Sequence, residues 1–245
     1  MRFKWLTDYW QGLILAVSSI IASLWLGLTG KLTLYIHPRY VIFTMVMSGL
    51  SLIIIMAGLW LHPYKRAFLR PKSLLSISMG LVCLLLCVSL LVTKPSALTS
   101  STASQRGINT GALDLASQSS ITTQLPSNVD YSQFTVKEWA SLLSQTTDPS
   151  FFEGKKTDIT GFISPADNNP NVFFASRFIL TCCAVDARPI GVPVYYPNWR
   201  AAYNTDQWVR VDGSFTQNPD KGTPLNVIKP SAITKVNQPD DPYVH

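Results

Sequence analysis

The sequence predicts a membrane α-helical N-terminal region followed by an all-β C-terminal domain. Two observations predict this division. Three long uncharged segments crowd the first 95 residues of the 245-residue chain. Five short segments rich in β-branched and aromatic residues follow later, and a Ser/Thr-rich stretch separates the two kinds of sequence.

The three uncharged segments are 12–30, 40–61 and 73–93. At a rise of about 1.5 Å per residue, each is long enough to cross a hydrocarbon core of roughly 30 Å. They contain no Asp, Glu, Lys or Arg, so they offer no proton relay or coupling-ion site. A single helix buried in a soluble protein could be this apolar, but three in succession predict a multi-pass membrane protein.

Basic residues beside these segments predict the orientation. If the N-terminus is cytoplasmic, six lysines and arginines lie on the inner side and four on the outer side. A compact basic cluster at 65–72 belongs to the inner set. Because cytoplasmic loops carry an excess of Lys and Arg, we expect a cytoplasmic N-terminus and an extracytoplasmic C-terminal domain in the cell membrane.

The net charge of +6 is unevenly distributed. Residues 1–127 hold ten Lys/Arg against two acids, and residues 128–245 hold ten against twelve. Phosphate binding needs a concentrated positive face, so this distribution argues against nucleic acid as a partner. The sequence has no P-loop, Ser-His-Asp arrangement or dinucleotide fingerprint, and we expect no catalytic activity.

The segment 96–127 predicts a flexible tether, because 13 of its 32 residues are Ser or Thr and it has little apolar surface to bury. The C-terminal domain then occupies 128–245. It begins with a predicted short amphipathic helix at 134–143. Thr135 is its expected N-cap, and Glu138 has the capping-box spacing.

Strand patterns follow at 157–163, 172–182, 191–196, 208–215 and 232–236. Glycine, proline, asparagine and aspartate separate them. Five short strands within about 85 residues suit a small Greek-key barrel, and we expect an OB-like fold.

The adjacent Cys182 and Cys183, with Asp186 three residues on, form the main candidate site. Three interpretations are open. As structural residues, the thiols would point to opposite faces of a strand. As metal ligands, they and Asp186 would bind a transition metal such as zinc, although the domain has one histidine, His245, and ordinary spacing gives no closed tetrahedral site. As a redox pair, they lack the Cys-x-x-Cys spacing, and a bond between neighbours is strained.

Two further features are candidates for weaker roles. Cys83 and Cys87 are spaced to share one face of the third apolar segment, as small apolar residues do. The loop after the first segment holds Tyr35, His37, Pro38 and Arg39. These four residues would either anchor the chain among lipid headgroups or contact a partner helix.

Taken together, the Tyr-Ile-His-Pro-Arg loop, the polar tether and the Arg-Phe-Ile-Leu-Thr-Cys-Cys-Ala-Val-Asp-Ala segment at 177–187 resemble the YcgQ-like family of bacterial membrane proteins. That family is described as a subunit of a two-component permease. The resemblance implies a non-catalytic accessory subunit, surrounded by membrane lipid, with a multi-spanning permease protein as partner. Its external barrel would bind a ligand or partner. The alternative is a membrane-anchored metal-binding or thiol-redox module.

Overall fold

The computed structural model describes residues 10–61, 82, 85–86, 88–89, 92, 95–110, 131–146 and 148–245. The chain divides into two units, Met1–Ser96 and Ala97–His245, and each is described by itself. The predicted combination of N-terminal helices with an all-β C-terminal part is confirmed.

The first unit contains two long helices. α1 spans Trp10–Leu28, α2 spans Pro38–Leu61, and a 3-10 turn at Lys31–Leu34 lies between them. The two helices pack closely at Gly27, where an added Cβ would lie 2.8 Å from the Met45 side chain. A larger residue at position 27 would therefore require the Met45 side chain to move.

Within the described part of the chain, α2 is the one helix long and apolar enough to cross a membrane. Its 24 residues rise about 36 Å, which exceeds the thickness of a hydrocarbon core. The apolar run of α1 is shorter. The third predicted span, 73–93, lies mostly outside the described residues, as do Cys83 and Cys87. One of the three predicted spans thus has the required length and composition, and the multi-pass character stays a prediction.

The second unit, as far as it is described, is built from short helices and six strands. The helices are α3 (Ser100–Arg106), α4 (Val136–Gln145), α5 (Pro149–Phe152) and α6 (Trp199–Ala202). The strands are β1 (Lys156–Pro165), β2 (Val172–Ile179), β3 (Arg188–Tyr195), β4 (Trp208–Gln217), β5 (Asn226–Lys235) and β6 (Tyr243–Val244).

The five long strands close on themselves. β1 pairs antiparallel with both β2 and β4, β2 pairs with β3, and β4 pairs with β5. A short parallel contact between β3 and β5, at Val194 and Ile228, completes the ring β1-β2-β3-β5-β4. β6 adds to β2 as a sixth strand in parallel.

Two strand ends differ from the prediction. β2 ends at Ile179 and not at 182, because the chain leaves the β2–β3 ladder and the Leu180 N–H donates to the Val244 carbonyl at 3.1 Å. β5 begins at Asn226, well before the predicted start at 232. The first half was not predicted because Pro230 interrupts the strand pattern in the sequence. The strand accommodates Pro230 at a bulge, where the register with β4 shifts between Asp212 and Gly213.

The predicted leading helix is confirmed as α4, with its capping box. The Thr135 N–H donates to Glu138 Oε2 at 2.8 Å, and Thr135 Oγ1 accepts from the Lys137 N–H at 3.2 Å. The apolar face of α4 joins the barrel core through Trp139, whose ring centroid lies 4.7 Å from that of Phe215.

The predicted tether differs from the structure at 97–110. This stretch, which we name the strap, contains α3 and packs on the barrel, with Ala103 fully buried. Asn109 holds it to the β3 residue Gly191 by two hydrogen bonds, of 2.8 and 2.9 Å. Composition alone missed the strap because some of its polar groups, such as Asn109 and the Ser100 N–H, form hydrogen bonds to distant residues of the second unit. Residues 111–130 lie outside the described part of the chain.

Candidate functional site

The candidate site lies in the connection between β2 and β3, residues 180–187, which we name the cysteine loop. It is tied at its base by the Leu180–Val244 hydrogen bond and ends where β3 begins at Arg188. Its three predicted site residues are Cys182, Cys183 and Asp186, and the structure brings all three together.

Asp186 organises the cysteine loop. Its carboxylate accepts hydrogen bonds from the backbone N–H of Cys182 at 2.8 Å and from that of Cys183 at 3.2 Å. Its own N–H donates to the Cys183 carbonyl at 3.0 Å. An aspartate often bonds to nearby backbone in this way and closes a tight turn.

This turn overturns the expectation that the two thiols point to opposite faces of a strand. Cys182 and Cys183 follow the end of β2, so strand alternation does not apply to them. Their sulfur atoms lie 3.6 Å apart, and both cysteines are free. One ligand atom from each of Cys182, Cys183 and Asp186 lies within 4.8 Å of the other two. The loop therefore presents two sulfurs and a carboxylate oxygen to one point in space.

The site faces outward. Cys182 is exposed, while Cys183 and Asp186 are half-buried. At the tip of the loop the Val185 side chain is 84% exposed. Among the residues that the structure describes, none covers the Cys182 and Val185 side chains at the outer side of the cysteine loop.

Hydrogen bonds within the site shift the pKa values of Cys182 and Asp186. A hydrogen bond to Asp186 and a second one to Cys183 raise the pKa of the Cys182 thiol to about 12. Partial burial alone would raise the pKa of Asp186, but bonds from the Cys182 thiol and from backbone N–H groups outweigh it and lower the pKa. At neutral pH the pair is a thiol and a carboxylate, so Cys182 lacks the thiolate that nucleophilic chemistry requires.

Arg106 of the strap forms hydrogen bonds to the backbone of the cysteine loop. Its Nη1 atom donates to the carbonyl oxygens of Ala184, at 3.4 Å, and of Ala187. These two carbonyls lie on either side of Asp186 in the sequence. The role of Arg106 could not be predicted from the sequence, because an isolated arginine in a Ser/Thr-rich segment gives no signal beyond its charge.

A second polar network, also missed, surrounds Asp220 in the β4–β5 connection. Its carboxylate accepts from Asn169 at 3.2 Å and Asn171 at 3.1 Å, both in the β1–β2 connection, and from the Tyr195 hydroxyl at 3.2 Å. These bonds, led by that from Asn171, lower the pKa of Asp220 against a smaller effect of desolvation. The network joins the β1–β2 and β4–β5 connections to the end of β3, and we name it the Asp220 clasp.

The other predicted interface residues lie in the first unit, at the start of α2. His37 Nδ1 accepts a hydrogen bond from the Arg39 N–H at 3.1 Å, and the His37 ring meets Tyr40 edge-on. Pro38 is the first residue of α2, a position where its missing N–H costs nothing. His37 therefore caps the helix, while Tyr35 and Arg39 stay candidates for contact with lipid or a partner.

Comparison with known proteins identifies the C-terminal part of the chain. A family model described as the DUF1980 C-terminal domain matches residues 116–245, more than half of the chain. The UPF0703 protein YcgQ of Bacillus subtilis (strain 168) is 30% identical over 101 residues, which cover 40% of this chain. The match covers 35% of that relative, so this chain spans about a third of the relative's length.

Among solved structures, the OBody AM1L10 bound to hen egg-white lysozyme shares 16% identity with this chain at a TM-score of 0.24. That match covers 47% of this chain and 99% of the OBody. The resemblance to the YcgQ-like family predicted from the sequence is confirmed. Since the matched domain holds all six strands and the cysteine loop, this chain belongs to the DUF1980 family.

Proposed function

We propose that this chain is a non-catalytic accessory subunit of a two-component membrane permease, with a β-domain that binds a ligand or partner outside the bilayer. The observation that carries the proposal is the pairing of a long apolar helix, α2, with a separate all-β unit. A chain with this division is suited to dock on a membrane partner through one part and to present a binding surface with the other. The partner we propose is a multi-spanning permease protein, as the resemblance of the sequence to the YcgQ-like family implies.

The ring of strands supports the binding role. A partly open, five-stranded Greek-key barrel is the architecture of the OB fold, whose strand face and loops bind ligands. The order β1-β2-β3-β5-β4, with its parallel contact between β3 and β5, is consistent with this architecture. The C-terminal region carries more acids than bases, so nucleic acid is not the ligand we propose.

The proposed topology has three spans, a cytoplasmic N-terminus and the β-domain outside the cell membrane. The basic cluster at 65–72 supports it. Protease added to intact cells should release the β-domain from the membrane fraction. If cleavage requires cell lysis, the proposed orientation is wrong.

Co-purification tests the accessory role. The tagged chain, extracted in mild detergent, should retain a multi-spanning permease protein at a fixed ratio. A matched chain whose α2 is replaced by an unrelated apolar span should lose that partner while its β-domain stays folded. Retention of the partner by both chains would place the contact elsewhere, and recovery of the chain alone would count against an accessory subunit.

Metal binding is the second candidate function, and the cysteine loop favours it. Two sulfurs and a carboxylate within 4.8 Å of one another form a donor set that suits a thiophilic cation such as zinc. The thiol-redox variant has less support, because adjacent cysteines lack the Cys-x-x-Cys spacing and a disulfide between neighbours is strained. The purified full chain should bind about one zinc ion, and Cys183→Ser should abolish binding without lowering the thermal midpoint by more than a few degrees.

A further inference from the structure

The separation of the two sulfur atoms carries information about the cation. Two thiolates that bind one tetrahedral zinc at about 2.3 Å lie about 3.8 Å from each other. A cation held linearly between them would separate the sulfurs by about 4.6 Å at the same bond length. The observed separation of 3.6 Å is close to the tetrahedral value. The cysteine loop therefore already holds the two sulfurs at about the separation that a tetrahedral cation needs.

Asp186 supplies the third donor. A thiolate and a carboxylate oxygen on one tetrahedral zinc lie about 3.6 Å apart. Because the three donor atoms already lie within 4.8 Å of one another, the carboxylate needs to move by only about 1 Å. Each carboxylate oxygen has two acceptor positions, so an oxygen bonded to the Cys182 or Cys183 N–H can still contact a cation.

The fourth position is open. Within the described residues, the group that converges on this point holds three donors: Cys182, Cys183 and Asp186. Cys182 is exposed and Val185 at the loop tip is uncovered, so the missing fourth ligand would approach from the outer side. Structural zinc sites have four protein ligands, whereas a site with three retains a position for an exchangeable ligand.

We infer that the cysteine loop is an open, three-donor site for a thiophilic divalent cation of the zinc type, which it passes on as cargo through the fourth coordination position. This inference rests on the proposed metal-binding function and adds the coordination number and the mode of exchange. An incoming ligand binds at the fourth position before the cation leaves Cys182, Cys183 and Asp186. The thiolates then take up protons as the cation departs, so charge balances at each step.

Cobalt tests the coordination number, because tetrahedral Co²⁺ with thiolate ligands absorbs visible light. The full chain carrying Cys83→Ser and Cys87→Ser, reduced and in detergent, has Cys182 and Cys183 as its only thiols. It should bind one Co²⁺ with a tetrahedral spectrum, and one Zn²⁺ should displace it. Added imidazole should shift the spectrum without releasing Co²⁺. If imidazole does not change the spectrum, the fourth coordination position is not open and the inference is wrong.

The kinetics of zinc removal test the exchange. With an open fourth position, the rate of Zn²⁺ transfer to a chelator should rise linearly with chelator concentration. A rate independent of chelator concentration would show that the cation must dissociate first, which contradicts the inference. If the chain binds neither Co²⁺ nor Zn²⁺, the proposed metal-binding function itself fails.

Variants assign the donors. Cys182→Ser and Cys183→Ser should abolish Co²⁺ binding, and Asp186→Asn should weaken it about tenfold or more. Val185→Ala, in the same loop, keeps all three donors and should bind Co²⁺ like the parent chain. Each variant's thermal midpoint is measured on the same sample, so that loss of binding with an unchanged midpoint separates a ligand from a residue needed for folding. If the Asp186→Asn variant keeps the full affinity for Co²⁺, the Asp186 carboxylate is not a ligand of the cation.

Discussion

Asp186 accepts hydrogen bonds from two backbone N–H groups and from the Cys182 thiol, so its charge affects both the shape of the cysteine loop and the reactivity of the sulfur. Only the thiolate reacts with alkylating reagents. Because the bond to Asp186 is the main cause of the raised pKa, replacing the carboxylate with a neutral amide should bring that pKa back toward its ordinary value.

The corresponding prediction is that Asp186→Asn alkylates faster at Cys182 than the parent chain. At pH 8 and without metal, iodoacetamide should modify Cys182 about tenfold faster or more, because a larger fraction of the sulfur is thiolate. Mass spectrometry of the tryptic peptide gives the rate, and Val185→Ala is the control for the same loop. An unchanged rate would show that Asp186 does not hold the proton on the Cys182 sulfur.

The identity of the candidate residues could be predicted from the sequence, but not their geometry. Adjacent thiols and a nearby carboxylate are visible in any sequence. Whether Cys182 and Cys183 diverge or converge depends on where β2 ends. The hydrogen bond from Leu180 to Val244 decides that point, and it joins residues 64 positions apart. No local pattern encodes such a contact.

At the scale of elements, the strap shows the same dependence on distant contacts. Its composition predicts a tether, yet Asn109 forms two side-chain bonds with Gly191, and its backbone N–H donates to the Pro189 carbonyl at 3.1 Å. The pairing of β3 with β5 is confined to Val194 and Ile228. The strap bonds to an earlier part of β3, which does not pair with β5. Strands were easier to predict, except where Pro230 interrupts the β5 pattern.

Asn109→Ala tests the strap as an element. The change removes both side-chain bonds to Gly191 and should lower the free energy of unfolding by about 1–2 kcal/mol. Hydrogen exchange at the Gly191 N–H, which donates to Asn109 in the parent chain, should become faster than in Ser104→Ala, a control on the exposed face of the strap. Equal exchange in the two variants would mean that the strap does not hold the β3 edge.

The clasp around Asp220 gives a prediction about pH. Its folded-state pKa lies below the ordinary value because Asn171, Asn169 and Tyr195 donate to the carboxylate. The clasp therefore stabilises the fold above the unfolded-state pKa of about 3.9, and this stabilisation is lost as pH falls through the lower folded-state value.

Asp220→Asn should accordingly lower the urea midpoint of the β-domain at neutral pH, and the difference from the parent should shrink below about pH 4. Pulse proteolysis of the full chain in detergent measures both midpoints. A difference that stays constant down to pH 2 would exclude the carboxylate charge as its cause.

At the scale of the whole molecule, the two units make the β-domain a candidate for independent folding. Its core includes Trp139 and Phe215 and lies within the second unit, as do all pairings of the six strands. Composition predicted this division, because apolar spans and β-rich segments differ in length and period. The boundary was harder: the sequence predicts a domain from 128, whereas the second unit begins at Ala97.

The boundary can be tested with two fragments. A fragment of residues 97–245 should be soluble and β-rich and should unfold cooperatively in urea. A fragment of residues 128–245 lacks the strap, so it loses the hydrogen bonds of Asn109 and Arg106 and exposes the surface under the buried Ala103. At about 0.5–1.5 kcal/mol for each bond, the shorter fragment should lose several kcal/mol, a large part of the roughly 5–15 kcal/mol that stabilises a domain.

Circular dichroism during urea unfolding measures the midpoint of each fragment. The 97–245 fragment with Asn109→Ala should fall between the other two, because it loses part of the strap's bonds and keeps the rest. Equal urea midpoints for the 97–245 and 128–245 fragments would show that the strap does not stabilise the barrel. A 97–245 fragment that stays unfolded without lipid would show that the β-domain depends on the first unit, and the accessory-subunit proposal would then need a rigid connection between membrane and barrel.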